Sequence, residues 1–121
     1  MIKGIGLDVI ELSRIRQNIE QNTGLVKRVL TDKEQEKFAS FHSTLRQTEF
    51  LAGRFAAKEA FAKATGEGIG KLRFRDIEVL SSSSGAPKLT VNGYDNVKIF
   101  LSITHTREYA AAQVVIEDKL A

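Results

Sequence analysis

Gly53-Arg54-Phe55-Ala56-Ala57-Lys58-Glu59-Ala60-Phe61-Ala62-Lys63-Ala64-Thr65-Gly66 is the stretch on which the fold turns. At helical spacing, Phe50, Gly53, Ala57, Ala60, Phe61 and Ala64 form one apolar stripe, and Leu51, Phe55 and Ala62 widen it well round the cylinder. Such a helix is mostly buried. Thr44-Leu45-Arg46-Gln47 has the pattern of a capping box, so the helix is expected over residues 45–65. Gly66 closes it, because glycine takes the left-handed conformation without steric cost.

The chain changes character at Gly66. Before it, residues 2–10 alternate as a strand, with Ile5, Leu7 and Val9 on one side and Gly4, Gly6 and Asp8 on the other. The glycines leave that side open to another backbone or a ligand. Leu12, Ile15 and Ile19 then recur at helical spacing, with Ser13 expected as N-cap and the helix ending near Gln21. A short helical turn is expected after Gly24, and Thr31-Asp32-Lys33-Glu34 reads as a capping box opening a further helix. Beyond Gly66 the period becomes two, at Ile77 and Val79, Leu89 and Val91, Val97 to Ile103, and Ala110 to Ile116. Turns of hairpin length separate these runs at Ser81–Gly85, Asn92-Gly93 and around Thr106. Helices followed by consecutive strands predict an α+β fold, with the long buried helix and shorter helices on a mainly antiparallel sheet.

With 121 residues the chain has room for one core and one domain, 1–121. The absence of cysteine removes thiolate nucleophiles and Cys-ligated zinc and fits a reducing, cytoplasmic setting. No apolar run approaches the roughly 20 residues that cross a bilayer, so no membrane partner is expected. Eighteen Lys and Arg against 15 Asp and Glu favour an anionic partner. Scattered basic residues, no Trp and two Tyr argue against nucleic acid.

Glu59 stands out on the buried helix. Its neighbours at three- and four-residue spacing are Phe55, Ala56, Ala62 and Lys63, surroundings in which an unpaired carboxylate is costly. Two readings are open. Lys63 can form an ion pair with it along the helix. Alternatively Glu59 joins Asp8, on the glycine side of the first strand, to make half of a hard-cation site. Mg²⁺ takes one or two protein carboxylates and completes its shell with water and substrate phosphate. Arg46, Arg54, Lys58 and Lys63 on the same helix, and His105 after a strand, are the basic groups available to hold that phosphate. His42, in a polar loop, reads as surface.

Three segments together resemble the motifs of one family. They are Gly4-Ile5-Gly6-Leu7-Asp8-Val9-Ile10-Glu11, then Gly53 to Gly68 with Lys58-Glu59 at its centre, then Leu101-Ser102-Ile103-Thr104-His105-Thr106. The chain is similar, over essentially its whole length, to the holo-(acyl-carrier-protein) synthases, which are 4′-phosphopantetheinyl transferases. The resemblance implies transfer of the 4′-phosphopantetheine arm of coenzyme A to a serine of apo acyl-carrier protein, releasing adenosine 3′,5′-bisphosphate, in fatty acid biosynthesis. It implies that Asp8 and Glu59 hold Mg²⁺ and that Lys63 steadies charge around the pyrophosphate. It places Arg46, Arg54, Thr104 and His105 at coenzyme A, with Thr104 keeping the hydroxyl of the serine many relatives carry there. It sets Arg14, with Ile15 and Arg28, against the acidic carrier protein. Asp8, Glu59 and Lys63 are thus the expected catalytic residues. A homotrimer with active sites between subunits is implied too, and Phe50, Phe55 and Phe74 are candidates to be buried there.

Overall fold

The computed structural model describes residues 1–67 and 72–119; Gly68, the end of the middle motif, lies outside them. The first strand, β1 (Ile2–Glu11), runs straight into α1 (Leu12–Glu20). Ser13 is therefore inside the first turn and not the cap. The reason is that β1 stays paired to its end, with Glu11 opposite Tyr109, and the Leu12 N–H donates to the Glu108 carbonyl at 2.8 Å. Next come α2 (Leu25–Val29) and α3 (Asp32–Ser40). The Thr31–Glu34 box forms as expected, with the Thr31 N–H donating to Glu34 Oε1 at 2.8 Å and the Glu34 N–H to Thr31 Oγ1 at 3.3 Å.

The long helix, α4 (Thr44–Thr65), begins at its expected cap, one residue earlier than the expected start at 45. Ser43 caps it by accepting the Arg46 N–H at 3.1 Å, and Gln47 turns away to donate to the Phe38 and Phe41 carbonyls. Gly66, at φ 79°, closes it. The apolar stripe extends almost all the way round: Leu51, Ala52, Ala56, Ala57, Ala60, Phe61 and Ala62 are wholly buried. A fully buried Leu or Phe is worth about 1.5–3 kcal/mol, so α4 is the axis of the core.

A 3₁₀ turn at Phe74–Asp76 leads into β2 (Ile77–Ser81), β3 (Pro87–Val91), β4 (Val97–His105) and β5 (Tyr109–Asp118). Among the described residues the strand pairings are antiparallel and fall into two sheets: β1-β5-β4, and the hairpin β2-β3. The segment at Asn92-Gly93 is thus a crossing between sheets and not a hairpin. The turns at Ser81–Gly85 and Thr106 do join paired strands.

Helix α4 lies directly on the glycine side of β1. A Cβ at Gly4 or Gly6 would collide with the carbonyl oxygens of Ala64 and Ala60, so only glycine permits this approach. The same contact brings Asp8 to the helix. The opposite face of the sheet stays open: Ile5, Leu7, Val9 and Phe100 are 61%, 57%, 57% and 53% exposed. Of the aromatic residues expected to need an interface, Phe50 is covered within the subunit, whereas Phe55 and Phe74 stay partly exposed. Phe50 is buried beside Phe41, with ring centroids 5.4 Å apart, and Phe55 stacks on Phe74 at 5.2 Å.

Candidate active site

Lys58 and Glu59 are consecutive on α4, so their side chains diverge by roughly 100°. Lys58 points into the protein. Its Nζ donates to Glu34 Oε1 and to the Val29 carbonyl, both at 2.6 Å, and neither side chain of the pair reaches solvent. The second oxygen of Glu34 accepts the Val79 N–H at 2.7 Å. Burial lowers the Lys58 pKa, and the adjacent Glu34 carboxylate opposes that shift. The expectation that Lys58 helps hold a phosphate therefore fails: its donors are committed to fastening α4 to α2, α3 and β2.

Glu59 faces the other way, towards β1. It shares a cavity of about 350 Å³ with Asp8, Glu11, Arg14, Phe55 and Tyr109. Lys63 does not pair with it. Its Nζ reaches Asp8 Oδ1 and the Leu7 carbonyl, both at 3.0 Å. Glu59 itself has no hydrogen bond or ion pair among the described residues. Burial pushes its carboxyl above the ordinary range, the Asp8 charge pushes it further, and Lys63 pulls it partly back. Two carboxylates thus share one lysine, with Asp8 only 15% exposed. A divalent cation would supply the missing positive charge through oxygen donors of the right hardness. Among the described residues no group of three or more His, Cys, Asp and Glu is placed to hold a metal, so the protein's share would be these two carboxylates.

A second cavity, about 290 Å³, collects most of the expected coenzyme A contacts. Arg46, Arg54 and His105 line it with Lys37, Glu49 and Ser81. The Arg54 guanidinium lies 4.2 Å from the Phe50 ring centroid, and its buried Nε has no hydrogen-bond partner among the described residues. An unpartnered donor in a cationic pocket suits an anionic ligand. Glu49 is the member that sequence reasoning missed: an acid on a basic helix gave no signal until β4 brought His105 to it.

The remaining expected residues separate. Thr104 is adjacent to His105 on β4 but faces the other side of the sheet, with Phe100 and Ser102. Arg14 lines the carboxylate cavity. Arg28 lines a third cavity of about 570 Å³ with Lys27, Arg73, Phe74, Arg75 and Asp76, and Phe74 stacks on Phe55 of the first cavity. Ile15 is a correction: at 1% exposure it belongs to the core beneath α1, and no partner can reach it there.

A sequence profile described as the 4′-phosphopantetheinyl transferase superfamily matches residues 4–114. A holo-(acyl-carrier-protein) synthase of Oceanobacillus iheyensis is 51% identical over 119 residues, covering 98% of this chain and 99% of that protein. One from Enterococcus faecalis is 54% identical, covering 98% and 100%. Among solved structures, a Bacillus anthracis holo-(acyl-carrier-protein) synthase in complex with CoA (3′,5′-ADP) superposes with a TM-score of 0.90 at 45% identity, over 98% of this chain and 99% of that one. A Helicobacter pylori holo-(acyl-carrier-protein) synthase in complex with coenzyme A gives 0.81 at 32%, over 93% and 99%. With its carboxylate pair, its cationic pocket and this end-to-end likeness, the chain belongs to the 4′-phosphopantetheinyl transferase superfamily.

Proposed function

We propose that this chain, as one domain over residues 1–121, transfers the 4′-phosphopantetheine arm of coenzyme A to a serine hydroxyl of apo acyl-carrier protein. The products are holo acyl-carrier protein and adenosine 3′,5′-bisphosphate. One observation carries the reading: two under-neutralised carboxylates, Asp8 and Glu59, face one cavity in a chain matched along its length by holo-(acyl-carrier-protein) synthases. Holo carrier protein serves fatty acid biosynthesis, which places the reaction in the cytoplasm, and the lack of cysteine fits that compartment.

The serine oxygen attacks the phosphorus bearing the pantetheine arm, and the bond from that phosphorus to the bridging oxygen breaks. Charge on the pyrophosphate must be neutralised for this to occur. Asp8 and Glu59 would be the residues that hold Mg²⁺, with Lys63 beside Asp8. Mg²⁺ bound there supplies charge neutralisation and acidifies its bound water. Lys63, half exposed beside Asp8, contributes a mobile positive charge next to the reacting phosphates. A water held by Glu59 would be placed to take the serine proton. Arg46, Arg54 and His105 hold coenzyme A by its phosphates, and Thr104 adds a hydroxyl from the other sheet face. Arg14 and Arg28 meet the acidic carrier.

Thr104 and His105 on opposite faces, and carboxylates and arginines in separate cavities, support a site completed by a neighbouring copy. The open apolar face of β1 and β4 supports the same reading, a homotrimer with active sites between subunits. Mass spectrometry of apo carrier protein incubated with coenzyme A, Mg²⁺ and this chain tests the reaction. A pantetheine arm gained with Mg²⁺ and lost with a chelator is expected; no gain with Mg²⁺ sinks the proposal. Light scattering should give three times the chain mass, and an active monomer would remove the trimer.

A further inference from the structure

We infer that Glu49 is a positioning residue for coenzyme A: its carboxylate sets Arg46 and His105 into one anion-binding arrangement. The inference rests on the coenzyme A reading of the cationic pocket. Glu49 stands on α4 one turn beyond Arg46 and faces the end of β4. Its two oxygens serve two different cations. Oε1 lies 3.9 Å from Arg46 Nε, and Oε2 lies 3.3 Å from His105 Nε2. The carboxylate is only 20% exposed, whereas Arg46 and His105 are 65% and 50% exposed. Glu49 is thus the anchored member and the cations are the ones it restrains.

The contact atoms matter. Glu49 meets Arg46 through Nε, so both terminal nitrogens of the guanidinium stay free to grip a phosphate in the two-pronged manner that favours arginine. Nε2 of His105 is the nitrogen engaged, which leaves Nδ1 for a ligand. The Arg46 guanidinium is steadied on its other side by the Phe41 ring, 5.2 Å away. The charges facing the pocket are Lys37 from α3, Arg46, Glu49 and Arg54 from α4, and His105 from β4. Three permanent cations against one carboxylate leave the pocket positive, so Glu49 orders the cations without cancelling them. Without it, an exposed arginine and a strand-end histidine would each lose side-chain freedom when the ligand binds.

The test is calorimetric binding of adenosine 3′,5′-bisphosphate and of coenzyme A to the full chain, with transfer kinetics alongside. Glu49→Ala is expected to weaken both ligands about tenfold. At saturating coenzyme A, kcat should stay within about twofold, because Glu49 touches no reacting atom. Glu49→Gln, which keeps volume and one acceptor oxygen, should recover part of the loss, and it reads the charge by itself if the alanine variant melts early. In a His105→Ala background the Glu49→Ala loss should shrink, since the two act through one contact. Equal or tighter binding by Glu49→Ala overturns the inference and makes Glu49 a competitor for the anion's place. Full additivity with His105→Ala overturns it as well. Failure of the unmodified chain to bind either ligand sinks the coenzyme A reading and this inference with it, whereas binding unaffected by Glu49→Ala sinks this inference alone.

Discussion

Helix α4 carries two acid–lysine clusters on opposite faces, one residue apart in sequence, and their contrast separates architecture from chemistry. On the inner face Lys58 and Glu34 are balanced one to one, wholly buried, and every contact goes to protein: Val29, Thr31 and Val79. On the outer face Asp8 and Glu59 share Lys63, which is half exposed, and Glu59 is left without a partner among the described residues. A closed cluster has no capacity for a ligand. An open one keeps a surplus of negative charge that the fold tolerates only because something else can neutralise it.

Breaking the closed cluster should have the largest effect. Lys58→Met leaves Glu34 charged and uncompensated in the core, and about 3–5 kcal/mol of stability should go, read by urea unfolding of the purified variant. A loss under about 1 kcal/mol would show that the inner pair is not the fastening it resembles.

Discharging the open cluster should separate activity from stability. Glu59→Gln should cut transfer about a thousandfold, the scale of a lost metal contact, while the fold is kept. Since the Glu59 carboxyl sits above its ordinary range, ionising it opposes folding. With divalent cations withheld, Glu59→Gln should therefore melt above the unmodified chain at pH values beyond that raised pKa. The advantage should fade as pH falls towards the unfolded carboxylate value, where both proteins are neutral at this position. Added Mg²⁺ should raise the melting temperature of the unmodified chain and leave that of Glu59→Gln in place. A variant less stable than its parent at neutral pH would show that Glu59 has a stabilising partner.

The smallest stability effect belongs to the lysine of the open cluster, and it makes the sharpest contrast with Lys58. Lys63→Met should change stability by no more than about 1 kcal/mol, as for other solvent-exposed pairs, yet reduce transfer about a hundredfold through lost charge stabilisation. Equal stability losses from Lys58→Met and Lys63→Met would erase the distinction between the two faces.

Much of this was legible from residue spacing. The width of the α4 stripe, the Gly66 stop and the glycine–aspartate alternation of β1 each follow from local periodicity, and together they brought Asp8 to α4. Caps at Ser13 and Thr44 were misplaced by one or two residues, because strand pairing at Glu11 and the longer reach of Gln47 outweigh local capping preference. Ile15 was set against the carrier by the resemblance, although its place in the apolar Leu12–Ile15–Ile19 spacing already pointed inward.

By itself, the order of residues determined the elements, the meeting of α4 with β1 and the identity of the acids there, since all three depend on period, glycine and motif. Only the tertiary structure decided which lysine serves which acid. Lys58 and Lys63 stand roughly 140° apart on a helical projection, but periodicity alone does not say that α3 and β2 close over the first while β1 leaves the second at the surface. The same holds for Glu49, whose use became visible when β4 carried His105 across to it, a contact between residues 56 positions apart that no local pattern encodes.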